Sequence, residues 1–216
     1  MSTIRVRTRP HPRPLRRLRT FVVLLIAVGV MGGNGPAEPQ EIDAVKAARV
    51  KAAYLYNFIN LPFNFVKWPA PAFASDVSPM VIGIVGEDPL AEILDQTVEG
   101  KKIEGRKIVV RRFGILPERS DDPQLLAAVK EMRRCHLLFV GGPRPVDLRR
   151  ACEAVRNAPV LTVSDVERFA ETGGMIELAL DRGRIIPRIN RRVAEAASLR
   201  LSAKLLRLAQ LVETPP

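Results

Sequence analysis

Histidine, cysteine and aromatic side chains are all scarce in this sequence, and each scarcity removes a class of function. There are two histidines, His11 and His136. His11 lies in the basic amino-terminal segment, which leaves His136 alone in the body of the chain. A two-histidine zinc site therefore cannot be assembled. Cys135 and His136 are adjacent, and on a strand neighbouring side chains point to opposite faces, so they cannot share a metal or act as a nucleophile–base pair. Cys135 and Cys152 are the two cysteines. The first precedes an expected strand and the second sits in the helix after it. The layers that hold them are ~10 Å apart, whereas a disulfide needs Cα atoms within ~7 Å, so a Cys135–Cys152 bond is not expected. No G-x-S-x-G elbow occurs. Val85-Gly86-Glu87-Asp88-Pro89 follows a strand and opens a helix, but one glycine and two acids make a poor phosphate cradle. Gly141-Gly142-Pro143-Arg144 reads as a turn in which Arg144 could hold an anion. The acidic residues fall mostly on polar helix faces and loops. Catalytic residues, cofactor and metal are all expected to be absent.

What is present begins with charge. Met1 to Thr20 carries seven arginines and no acid, and Phe21 to Met31 is an apolar run of eleven residues. A basic stretch, a short apolar run and a small-residue segment describe a secretory signal over residues 1–37, with cleavage among Gly32, Gly33, Gly35 and Ala37. The alternative, a retained membrane anchor, suffers from the run falling short of the ~20 residues a span needs. Without the segment, the formal charge of +11 falls to about +4, so nucleic-acid binding loses its support.

After a lead-in over residues 38–45, residues 46–213 read as one domain, with 214–216 as a tail. Val45, Ala48, Ala52, Leu55 and Ile59 recur at helical spacing, and Pro62 ends that helix. Strands are expected over 80–85, 107–113, 137–140 and 160–163. Helices are expected from Asp88 to Leu94, over 123–133 and over 146–155, with Ser164-Asp165 capping a short one. Residues 175–180 and 184–189 read as a hairpin, and Ser202 as the cap of a last helix carrying Leu205, Leu208 and Val212. Alternating short apolar strands and helices imply a single-domain, three-layer α/β fold with a mostly parallel mixed central sheet and helices on both faces.

Six aromatic residues (Tyr54, Tyr56, Phe58, Phe63, Phe65 and Trp68) crowd into fifteen positions of a chain in which aromatics make up 5%. Some must serve the core. Tyr56 and Trp68 are the members expected at the surface, where aromatics favour partner contacts.

The stretch VKAAYLYNFINLPFNFVKWP (Val50 to Pro69) resembles the opening signature of the YfiR-like proteins. Ile82 to Asp88 (IGIVGED), Arg134-Cys135-His136 before LLFV, VLTVSD at 160–165, Phe169, GGMI at 173–176, Ile189-Asn190 and the leucines around 205–208 are similar to that family in the same order. The resemblance spans about residues 46–213. One departure is Pro187-Arg188, where relatives have a Phe and an acid before Ile-Asn. Proline cannot donate to a ladder, so this strand is expected at an edge or broken. The resemblance implies a periplasmic, non-catalytic regulator without a cofactor. Its partner would be a membrane-bound diguanylate cyclase or another membrane sensor, restrained so as to lower cyclic di-GMP, with sequestration by an outer-membrane lipoprotein. Whether such a protein forms a homodimer stays open. The candidate partner or ligand surface is Tyr56, Asn57, Phe65, Trp68, Arg188 and Asn190. The other readings are a periplasmic small-molecule sensing module and a hydrolase built on a converging carboxylate pair.

Overall fold

A computed structural model describes residues 40–60, 63–86, 89–142, 144–181 and 183–214. The signal segment, its cleavage point and the Asp88 helix cap lie outside the described residues.

The first helix, α1 (Gln40–Ile59), turns Ala48, Ala52, Leu55, Phe58 and Ile59 inward, while Val45 stays exposed. The apolar stripe thus starts one turn later than its sequence periodicity suggests. Strand β1 (Val66–Lys67) follows, then a single 3₁₀ turn over Ala70–Ala72 opened by Pro69 and Pro71. From β2 (Met80–Val85) the chain alternates: α2 (Leu90–Val98), β3 (Lys102–Ile103), β4 (Arg106–Gly114), α3 (Pro123–Met132), β5 (Leu137–Val140), α4 (Pro145–Ala154) and β6 (Leu161–Ser164). The hairpin β7 (Ile176–Asp181) and β8 (Arg184–Ile189) leads to α5 (Arg191–Ala196), β9 (Arg200–Leu201), α6 (Ala203–Arg207) and β10 (Gln210–Leu211).

Eight strands form one sheet in the order β10-β8-β7-β6-β5-β2-β4-β3, and β1 pairs with β9 in a separate antiparallel ribbon. Within the large sheet only β7–β8 and β3–β4 are antiparallel, as the strand–helix alternation anticipates. The pleat sorts side chains to two faces. Ile82, Ile84, Leu137, Phe139, Leu161 and Val163 meet α1 and α2 on one face. Val81, Val85, Leu138 and Val140 meet α3 and α4 on the other. Each fully buried side chain of this size contributes roughly 1.5–3 kcal/mol, and these two layers hold the domain together.

Three expectations change. Ser164 does not cap a helix: it ends β6, its hydroxyl donating to Val140 O at 2.6 Å and accepting from Val166 N, and the connection to β7 is a series of turns. The closing helix is a single short segment, α6. Ser202 does cap it, but Leu208 lies past its end and is exposed.

The third change concerns Pro187. β8 is unbroken, and β10 covers its end at Arg188 and Ile189. Asn190 N–H donates to Met175 O. Hydrogen-bonded pairs alternate along an antiparallel ladder, which puts Leu178–Pro187 at a non-bonded pair with the Pro187 nitrogen facing outward. The missing donor costs the ladder nothing there. On the outward side of β8 the Tyr54 hydroxyl donates to Ile185 O at 2.9 Å, Pro187 offers no donor, and Val212 N–H donates to Ile189 O.

Candidate functional site

Open α/β sheets usually bind ligands outside the carboxyl ends of the strands where the chain reverses direction across the sheet. Here that point lies between β2 and β5, whose following helices go to opposite faces. Backbone fills it. Gly141 N–H donates to Val85 O at 2.9 Å, and Gly86 N–H donates to Gly114 O at 2.7 Å. A Cβ built on Gly86, at φ +90°, would stand 2.4 Å from Gly141 O. Arg144, the anion-holding candidate, is engaged by Glu118 at 3.3 Å and Asp147 at 3.6 Å.

The opposite end of the sheet is different. There the aromatic segment runs across the amino ends of β2 and β5. Trp68 is half-buried, and its Nε1–H donates to His136 O at 2.9 Å, which fixes the indole plane. Recesses open on both sides of it. One, of about 340 Å³, is bounded by Ile59, Asn64, Phe73, Met80, Ile103 and Glu104. The other, of about 830 Å³, is bounded by Lys67, Pro69, Arg191, Ser198, Arg200 and Leu201. Tyr56 is half-buried beneath Lys101, whose Nζ lies 4.4 Å from the ring centre. Phe63 stacks on Phe65 at 5.2 Å with Lys204 beside both rings.

Of the six sequence candidates, Tyr56, Asn57 and Trp68 are half-buried in this region. Phe65 is not a surface residue: it is 8% exposed and belongs to the core under α6. Asn190 is 1% exposed, because its side chain accepts from Val193 N to cap α5 and donates to Ala170 O and Thr214 Oγ1. Arg188 lies elsewhere, on the sheet face beyond α4, where its guanidinium bridges Glu177 at 3.2 Å and Glu171. These two carboxylates do converge, as a hydrolase would require, but on an arginine that neutralises them rather than on an open cleft.

The sequence reading missed Arg106 and the column it completes. Arg106 opens β4 and is buried; its Nη1 donates to Ser75 O at 2.6 Å and Ser78 O at 3.0 Å, and its guanidinium covers Phe73 at 4.2 Å. Phe73 in turn stacks on the His136 ring at 4.4 Å. His136 Nδ1 accepts the Val81 N–H at 3.1 Å, so in the neutral ring the proton is on Nε2. Burial pushes the His136 pKa down to about 4; the Ala72 backbone works the other way, and the Arg106 charge adds to the depression. Nothing in the pattern around Arg106 marks it, since an arginine at a strand start is usually solvated. Both thiols are free and neutral, each pushed up to about 12 by burial. Among the described residues no group of three or more His, Cys, Asp or Glu could hold a metal, and no helix is long and apolar enough to cross a membrane.

The wall of the larger recess carries backbone strain. Ser198 N–H donates to Glu195 O and Leu199 N–H to Ala194 O, the paired bonds that end a helix with a left-handed residue, normally glycine. Ser198 takes that position at φ +61°. The S198G variant is expected to gain up to about 1 kcal/mol, seen as a higher urea midpoint, since the left-handed conformation costs a non-glycine residue about that much.

The fold defines the class: an α/β domain on a mixed sheet, with an aromatic segment across the amino ends of β2 and β5. The chain belongs to the YfiR/HmsC-like family, whose model matches residues 48–210. Members of that family are periplasmic regulators rather than catalysts. Among curated proteins no significant match is found.

Proposed function

We propose that this protein is a periplasmic regulator without catalytic activity that docks, through the surface around Trp68, on the periplasmic part of a membrane signalling protein, restraining a diguanylate cyclase and thereby lowering cyclic di-GMP. Family membership supports the regulatory role. The observation that carries the site is the half-buried Trp68, held by one hydrogen bond between two recesses, the smaller of which the half-buried Phe73 also lines. A regulator of this kind acts by binding one state of its partner better than the other. An indole already fixed in place loses little entropy on docking.

Removal of the gene is expected to raise cellular cyclic di-GMP, and the W68A variant is expected to behave like the deletion while accumulating as a folded protein, checked by its melting curve. Unchanged cyclic di-GMP in the deletion would overturn the role, and full regulation by W68A would overturn the site.

A recess of about 610 Å³ between α4 and α5, bounded by Arg149, Cys152, Arg156, Thr162, Met175 and Arg192, favours the second reading, a small-molecule sensing module. Its size is that of a ligand pocket. Thermal shift across periplasmic metabolites separates the two readings, because a saturating ligand raises the melting point.

A further inference from the structure

In the β1–β9 ribbon, Val66 faces Leu201 and Lys67 faces Arg200. The first pair points into the core. The second points outward, so two exposed cations stand directly opposite each other on one face of a two-stranded ribbon. Like charges in that position repel. Neither has an ion pair among the described residues, whereas Arg191 beside them is matched by Glu195 at 2.6 Å. The larger recess is therefore left with two unmatched positive charges at its rim and Trp68, Pro69, Leu199 and Leu201 on its walls.

We infer that the Lys67–Arg200 pair is the receptor for a carboxylate, and that the occupant of the recess is an acidic segment of a partner protein, with an Asp or Glu between the two cations and an apolar neighbour against Trp68. This rests on the docking reading above and adds the partner's chemistry. A single carboxylate bound between the cations removes their repulsion and gains two charge-assisted hydrogen bonds, so the ribbon is more stable occupied than empty. The recess is concave and presents two free cations, short of the four to eight clustered ones that hold anionic lipid surfaces. A second copy of the chain would have to bring a matching acid from another face.

The test uses the purified full chain and a fluorescent decapeptide of alternating glutamate and leucine, with its glutamine counterpart as control. Vesicles of phosphatidylglycerol and sedimentation of the protein alone run in parallel. The glutamate peptide is expected to bind, to weaken with added salt, and to lose about tenfold or more of its affinity to K67E. K67E turns the repulsive cross-strand pair into an attractive one, so it is expected to melt at or above the native temperature, and a loss of binding cannot be ascribed to unfolding. Equal binding of the glutamine peptide, or undiminished binding by K67E, overturns the inference. So does tight association with vesicles, or a self-association that K67E abolishes, each assigning the cations to a different occupant. In cells, full regulation by K67E alongside failure of W68A would sink the acidic partner and leave the docking surface standing.

Discussion

Acidification from pH 6.5 to pH 5 is expected to cost the folded chain about 2 kcal/mol through His136 alone, rising to about 3 kcal/mol by pH 4. Unfolded, the imidazole titrates near 6.5; folded, it titrates at about 4. Between those values the unfolded chain holds the additional proton, so stability falls with pH across that window and His136 adds no further loss below it. The cause is geometric. The Nδ1 lone pair is committed to Val81 N–H, the stacked Phe73 ring offers no solvation, and Arg106 on the far side of Phe73 is a cation. A proton on Nδ1 would break the Val81 bond and place two positive charges across one ring. The H136N variant, whose amide oxygen can accept from Val81, should lose some stability at pH 7 but show a flat profile between pH 6.5 and pH 5. Urea midpoints of the two proteins across that interval measure the difference. Parallel slopes would sink the assignment. Trp68, hydrogen-bonded to His136 O, gives a fluorescence reading of the same event at the docking surface.

The alternation of apolar strands and helices was legible because each of β2, β4, β5 and β6 is long enough to show its own pattern and is bounded by turn residues. The elements that escaped are the short ones. β1, β3, β9 and β10 have two residues each, too few for any periodicity, and α5 begins behind Asn190, whose capping role is visible only once Val193 N–H is seen to donate to it. Three of them, β1, α5 and β9, build the larger recess: Lys67 and Arg200 are over a hundred positions apart and meet only in the β1–β9 ribbon. Crowded aromatics announced a surface near Trp68, but their count could not tell which rings were buried. Phe65 and Lys67, two positions apart, would share a face in a regular strand, yet Phe65 is buried and Lys67 exposed, because Phe65 lies just before β1 begins.

Arg188 shows the same limit. Its departure from the family pattern was plain, and its meaning lay in Glu171 and Glu177, which no local pattern connects to it. Glu177 is 1% exposed on β7 directly opposite Arg188, with Ala170 N–H donating to its second oxygen at 3.4 Å. The guanidinium is what makes a carboxylate tolerable there. Replacing it with the acid that relatives carry, R188E, is expected to destabilise the fold by about 3–5 kcal/mol, the usual effect of stripping a buried charge of its partner, with carboxylate repulsion in addition. R188M should sit at the low end of that range. The double change E177L/R188M, which removes both charges and keeps apolar volume, should recover most of the loss, because a buried ion pair exchanged for apolar side chains is often neutral. A double-mutant cycle read from urea midpoints measures the coupling, and additive effects would show that the two side chains do not depend on each other. The pH response discriminates further. In R188E a proton taken up among the three clustered carboxyls relieves their repulsion, so its deficit against the native protein should narrow on acidification toward pH 5, opposite in sign to the loss His136 imposes on both.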